Sequence, residues 1–266
     1  MNVCGLRLSA RLRAHQVPLR RFSTAAPKDR KPFFALRLTF ATVAHVLLWG
    51  TAGVVLTNYF LPISGPLLKD PLPIRGSPEE KKTIEELEAS ASKLPIVKAL
   101  RADPEYKEHR PWTGIPEEER QHRYTPGVLQ GAEKIGYNKV WVKRDGSTVG
   151  VLSLGRGICG FPGVVHGGVL ATIVDEALGR TAMHVLPTRN AVTARLSINY
   201  RRPVHAHLYP KSSGFVILRT WVIEHTDRKG VAKATIEDEF GNILMEAEGI
   251  FVVPRGWSLA EMPKGI

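Results

Sequence analysis

A chain of 266 residues with 43% hydrophobic and 23% charged side chains is long enough for one sizeable globular domain plus flanking pieces, which excludes a disordered or fibrous protein. Its two cysteines, Cys4 and Cys159, lie far apart and imply neither a disulfide framework nor a metal site. The formal charge of +12 owes much to five arginines ahead of Phe22, and the rest is scattered, so no nucleic-acid partner is expected.

Residues 1–28 carry Arg7, Arg11, Arg13, Arg20 and Arg21 among leucines and hydroxyl residues, with no acid. That is the composition of a mitochondrial targeting presequence. In Leu38 to Leu61 only His45 is ionisable near neutral pH. As a helix this stretch would be about 36 Å long, against a hydrocarbon core of about 30 Å. It predicts a single-pass transmembrane helix with Arg30, Lys31 and Arg37 on its positive flank. Presequence and anchor together predict the mitochondrial inner membrane, with the soluble domain in the intermembrane space.

Residues 62–127 read as a linker and helical arm. Pro62, Pro66, Pro71 and Pro73 make the linker. Ser77-Pro78-Glu79-Glu80 then starts a helix, with Ser77 as N-cap and Glu80 at the capping-box position, running to about Ser92. From Leu94 to Tyr124 the text is charged and broken by Pro95, Pro104, Pro111 and Pro116, and is expected to pack on the domain as an arm or lid.

Residues 128–256 form the predicted domain. Lys139–Arg144 and Thr148–Leu154 flank Asp145-Gly146, a strong hairpin signal. A glycine-rich loop leads to a helix over about Gly167 to Val185. Strands follow at 191–201, 214–226, 231–240 and 243–253, with Arg228-Lys229-Gly230 and Gly241-Asn242 as turns. One long helix followed by an antiparallel meander of four strands, with a hairpin before it, describes an α+β domain whose sheet wraps a central helix.

The chemistry concentrates in Val164 to Gly179, VVHGGVLATIVDEALG. A carboxylate, Asp175, is expected to be buried more than two turns into the helix, and Ala171, Thr172, Leu178 and Gly179 are its neighbours at helical spacing. None of them is a cation, which makes Asp175 the candidate acid or base, whereas Glu176 has Arg180 four residues on and reads as an ordinary surface pair. In TARLSINY, Thr193 shares a polar strand face with Arg195, Ser197 and Asn199. The helix start offers unpaired N–H groups and the positive end of the helix dipole, suited to a developing oxyanion.

The combination GFPGVVHGGVLATIVDEALG and TARLSINYRRPV resembles the hot-dog thioesterases of the PaaI type, and most closely their mitochondrial acyl-CoA thioesterase members, over roughly Gln130 to Pro254. The resemblance implies a hot-dog fold and hydrolysis of a fatty acyl-CoA to free acid and coenzyme A, with no cofactor beyond that substrate. It implies Gly167 as oxyanion donor, His166 supporting or polarising the carbonyl, and Asp175 as general base or nucleophile. Thr193 would orient the water or the carboxylate, commonly across a subunit interface. Gly168 lets substrate approach, and Arg201 and Arg202, with Lys211, would meet coenzyme A phosphates. It further implies a homodimer or dimer of dimers. One departure stands out: many relatives have Asn six residues before the His, where this chain has Gly160. A non-catalytic acyl-CoA-binding or scaffold protein of the same fold is the alternative. Cys159 has no matching His/Asp pair and reads as a small packing residue.

Overall fold

The computed structural model describes residues 40–60, 71–207 and 214–255. The presequence over residues 1–28, the linker as far as residue 70, and Lys211 lie outside them. Helix α1 (Phe40–Phe60) has 21 residues. It corrects the expected transmembrane helix: among the described residues, no helix is long and apolar enough to cross a membrane. The expectation counted charges, whereas a span needs sustained apolarity. Within α1, His45, Gly50, Thr51 and Gly53 interrupt it, and the Thr51 hydroxyl turns back onto the carbonyls of Leu47 and Leu48 at 2.7 and 3.0 Å. The single-pass anchor and the inner-membrane placement lose their basis with it.

The arm has more structure than its prolines suggest. Helix α2 (Pro78–Ala91) starts where Ser77 caps it, its hydroxyl accepting from Glu80 N–H at 3.2 Å. The Glu80 carboxylate accepts from Gly76 N–H at 2.5 Å and Ala132 N–H at 3.3 Å, tying α2 to the start of the domain. Helix α3 (Pro95–Ala102) follows, then strand β1 (Lys107–His109) and the single turn α4 (Glu117–Arg120). A wide turn over Tyr124–Val128 leads into the strands.

The strands are β2 (Ile135–Val142), β3 (Thr148–Leu154), the short pair β4 (Cys159–Phe161) and β5 (Val164–Val165), and, after helix α5 (Gly167–Val185), β6 (Val192–Tyr200), β7 (Phe215–His225), β8 (Lys229–Glu237) and β9 (Ile243–Val252). The main sheet is antiparallel with order β1-β2-β3-β7-β8-β9-β6. The Asp145-Gly146 hairpin forms as expected: Gly146 takes φ +83°, and Asp145 Oδ1 accepts from Ser147 N–H at 2.9 Å. Two expectations shift. The turn before β8 falls one or two residues earlier, because the Thr226 hydroxyl accepts from the N–H groups of Arg228 and Lys229 and closes it there. The four later strands are not a plain meander either: β7, β8 and β9 are consecutive, but β6 crosses to the far side and pairs with β9, leaving β6 as an edge.

The sheet curls around α5, consistent with a hot-dog fold. Leu170, Ile173, Val174, Ala177 and Leu178 of α5 pack into one cluster with Leu152, Leu218, Ile236, Met245 and Phe251. Burying each large side chain contributes about 1.5–3 kcal/mol. Gly249 is required for this approach, since a Cβ there would come within 2.6 Å of Phe251 and 3.2 Å of Leu178. On the outer face of β2, β3 and β7, Leu87 and Ala91 of α2 and Val97 and Leu100 of α3 cover Tyr137, Trp141, Val149, Val151, Phe215 and Ile217. Strand β3, covered on both faces, is therefore almost wholly buried, while the edge strand β6 is mostly exposed.

Candidate active site

His166 is the N-cap of α5, in extended conformation, and its Nδ1 accepts from Gly168 N–H at 2.9 Å. With Nδ1 accepting, the ring has Nε2 left as its donor position. The N–H groups of Val169 and Leu170 both donate to His166 O, at 3.0 and 3.2 Å. His166 N–H donates to Ile158 O at 2.9 Å, so of the four N–H groups a helix start leaves over, those of His166, Gly168 and Val169 are satisfied. Gly167 N–H alone has no acceptor among the described residues, and the Gly167 carbonyl accepts from Tyr200 O–H at 2.8 Å. The mouth of α5 therefore presents one free backbone donor at the positive end of the helix dipole.

Gly160 packs directly under this cap. A Cβ there would meet His166 Cδ2 at 2.8 Å, so a larger residue, Asn included, would displace the ring. The glycine belongs with this placement of His166.

Further along α5, Asp175 is half-buried rather than fully buried, and it is not alone. Thr193 Oγ1, at the start of β6, donates to Asp175 Oδ1 at 2.9 Å. The two residues meet within one chain, not across a subunit boundary, because the loop from α5 returns β6 alongside the helix. Both line a cavity of about 460 Å³, together with Gly179, Met183, Ala191, Val192 and Phe251. Its remaining wall is the arm: Trp112, Ile115, Arg123, Tyr124, Thr125 and Pro126.

Glu176 and Arg180, expected to be a surface pair, line this cavity as well. The arm covers the face of α5 that carries them, so the Arg180 side chain is only 18% exposed. Its guanidinium lies 5.7 Å from the Trp112 ring centroid and 3.6 Å from Glu176 Oε2. Burial pulls Arg180 below its ordinary value, opposed by the charge on Glu176.

The remaining predicted residues fall elsewhere. Arg201, exposed, donates from Nε to Glu246 Oε2 at 2.7 Å, which engages half of the basic pair, while Arg202 is exposed beside it. The site cavity is lined by neither of them, nor by His166, Gly167 or Gly168. Burial pushes the Cys159 thiol up, assisted by nearby Glu133 and opposed by a backbone hydrogen bond from Gly163, which is the reverse of an activated nucleophile. The loop behind the mouth is braced by a buried carboxylate. Glu133 Oε2 accepts from Arg156 Nε at 3.3 Å and from Arg156 N–H at 3.4 Å, and its Oε1 is 3.7 Å from His207 Nε2.

A helix mouth with one free donor, an Asp–Thr pair and a cavity within a sheet-wrapped helix agree with what the chain resembles. Residues 162–242 match the family described as the thioesterase superfamily. The match begins just before the mouth of α5 and ends before β9, so the matched stretch includes His166, Gly167, Asp175 and Thr193 but not the arm. Among curated proteins, the chain is similar to the uncharacterized mitochondrial membrane protein FMP10 of Saccharomyces cerevisiae, at 31% identity over 135 residues, 50% of this chain and 51% of that protein. It is similar to acyl-coenzyme A thioesterase THEM4 of Mus musculus at 40% identity over 68 residues, 26% of each chain. A solved thioesterase-superfamily neighbour is the hypothetical thioesterase of Streptococcus pneumoniae with coenzyme A, at 20% identity and TM-score 0.40, covering 45% of this chain and 88% of that one. The matched stretch spans about half of the yeast relative and a quarter of the mouse one.

An arm or lid on the domain was expected; that it walls the cavity, together with Arg180, is what sequence reasoning missed. The nearest signal was the turn chemistry of Pro111-Trp112-Thr113-Gly114 and Tyr124-Thr125-Pro126-Gly127, two aromatic residues set beside chain reversals.

Proposed function

We propose that the chain is an acyl-CoA thioesterase of the PaaI type, acting in the mitochondrion. The observation that carries the reading is the Asp175–Thr193 pair set in the wall of a largely apolar cavity. The Thr193 hydroxyl occupies Oδ1 and fixes the carboxylate, leaving Oδ2 to take a proton from water. That water adds to the thioester carbon, the carbonyl oxygen gains charge, and the free Gly167 N–H is the donor suited to it. The C–S bond then breaks, and the coenzyme A thiolate leaves with the proton Asp175 had taken. Arg202, exposed, is assigned to a phosphate of coenzyme A on the chemistry of its guanidinium. The name of the mouse relative as an acyl-coenzyme A thioesterase supports this reading, and the mitochondrial names of the yeast relatives support the location together with the presequence.

The geometry of α5 supports a site shared by two copies. Gly167 and Asp175 are eight residues apart, about 12 Å along a helix axis, too far for one thioester carbonyl and its attacking water to touch both. The open edge of β6, which carries Thr193, is the surface on which a second copy would bring its own Gly167 to this Asp175.

Thiol release from a series of acyl-CoAs by the full chain, beside Asp175→Ala, tests the activity. Loss of release with retained fold and oligomer supports it. Tight acyl-CoA binding without thiol release from the unaltered chain would instead identify a binding protein. Mixing Gly167→Pro with Asp175→Ala tests the shared site: recovered activity requires two copies per site, and no recovery assigns the site to one chain.

A further inference from the structure

Beside the cavity that holds Asp175 and Thr193 lies a second, much smaller one, about 10 Å³. The two share Trp112, Thr125, Glu176 and Arg180 in their walls, so the small one is a niche adjoining the larger. Its size admits about one water-sized group.

The lining of this niche is chemically out of balance. Asn138 Oδ1, reaching in from β2, is buried with no hydrogen-bond partner, and so is Glu176 Oε2. Arg180 makes no hydrogen bond to any described residue, since its approach to Glu176 at 3.6 Å is too long for one. Two acceptors without hydrogen-bond donors and a guanidinium held only by its longer ion pair to Glu176 thus line one oxygen-sized space, beside Thr125 and Thr148 and the apolar Ile135, Leu152, Ile173 and Leu218. Buried polar groups left so are costly.

The chemistry of the group that would satisfy them is narrow. A methylene would leave all three unpaired. A carboxylate would place a second negative charge beside Glu176 and bring no hydrogen to Asn138. A hydroxyl brings a hydrogen for Asn138 Oδ1 or Glu176 Oε2 and lone pairs for Arg180, and a water, which brings two hydrogens, is its competitor for the space. Because the niche shares walls with the cavity that holds Asp175 and Thr193, the substrate is a candidate carrier of that hydroxyl. We propose that the niche formed by Asn138, Glu176 and Arg180 selects acyl thioesters bearing a hydroxyl close to the thioester. This rests on the thioesterase reading and names its substrate class. Glu176 follows Asp175 directly, and Arg180 lies five residues or about 7.5 Å further along α5, which puts the hydroxyl within the first few carbons of the carbonyl. Asn138 is the specificity-determining residue of the three, since it belongs to neither the catalytic pair nor the ion pair.

The test is thiol release by the full chain from straight-chain acyl-CoAs of equal length, with and without a hydroxyl on the third carbon in each configuration. One hydroxylated isomer is expected to show kcat/KM higher by about tenfold or more, and Asn138→Leu, which fills the niche, should bring that ratio toward one. Asn138→Ala, which deletes the acceptor, gives the same readout if the leucine variant unfolds. Equal rates on both members of the pair in the unaltered chain would overturn the proposal, the niche then holding a water only, while the thioesterase reading stands. If neither thioester is hydrolysed, the thioesterase reading fails, and the niche is judged by calorimetry on the non-hydrolysable thioether analogues. Tighter binding of the hydroxylated analogue, lost in Asn138→Leu, upholds it, and equal binding sinks it.

Discussion

At the mouth of α5 the polar groups are exposed, short-range and nearly all satisfied: His166 caps Gly168, its carbonyl takes two more N–H groups, and only Gly167 N–H is left over. Two turns on, the same helix presents Asp175, Glu176 and Arg180 to a cavity roofed by the arm, with Thr193 as the one close hydrogen-bonding partner. The N–H groups of the mouth are met mostly by neighbours in sequence, with Tyr200 reaching the Gly167 carbonyl from further off, whereas the middle depends on Thr193 and on the distant arm. An activating donor can be made by a local motif, because leftover N–H groups come with any helix start. A carboxylate held by a hydroxyl in a cavity wall needs surroundings that only tertiary structure supplies.

The sharpest way to break this division is to remove the charge in the middle. Asp175→Ala is expected to lower kcat by about 10³-fold or more, with the circular dichroism spectrum unchanged. At the mouth, Gly167→Pro deletes only the leftover N–H. Proline suits the first helical position, and the extended backbone of His166 suits the residue before it. We expect a fall in kcat of about 10²-fold or more with little loss of stability. If that variant keeps full activity, the mouth is structural and the middle works alone. Thr193→Val keeps the shape of the strand and removes the hydroxyl; a hydrogen bond to a charged group is worth about 1.5–3 kcal/mol, so kcat should fall roughly tenfold to a hundredfold.

Behind the mouth, Glu133 offers a different probe. Desolvation by itself would raise its carboxyl, but His207 and Arg156 outweigh it and hold the group below the usual carboxylate range. A depressed folded value contributes stability above the unfolded value and loses it as pH falls through the folded one. Glu133→Gln should therefore lower stability at pH 7 by about 1–3 kcal/mol, and the gap from the unaltered protein should close below about pH 4. Equal denaturant midpoints at pH 7 would show that the brace contributes nothing to the loop. The smallest effect is expected for Trp112→Ala, which removes the ring beside Arg180, a contact worth about 0.5–2 kcal/mol. It should raise KM more than it lowers kcat, since the arm covers the cavity and does not touch the reacting atoms.

How much of this was legible in the chain follows from the same division. Helix α5 was readable to the residue, because glycines, the apolar period and the capping histidine are all local signals. The pairing of Thr193 with Asp175 was anticipated only as a resemblance, and its placement within one chain required the crossing of β6 to the sheet edge. Glu176 and Arg180 misled for a physical reason: the spacing of an i,i+4 pair is the same whether water or a tryptophan lies above it. Asn138 carried no signal, since a polar residue in the middle of a strand looks the same whether it faces solvent or a niche. Residues 38–61 misled differently, because absence of charge is easier to read than sustained apolarity.

The apron of α2 and α3 decides what can be cut from this protein. A fragment trimmed to the conventional start near residue 128 would lay bare Tyr137, Trp141, Val149, Val151, Phe215 and Ile217 on one half of the sheet. So large a greasy plaque drives clumping in water. The smallest preparation that stays monodisperse on a sizing column should begin ahead of Ser77, and any shorter one should come off the ribosome sticky, whatever the state of its catalytic pair.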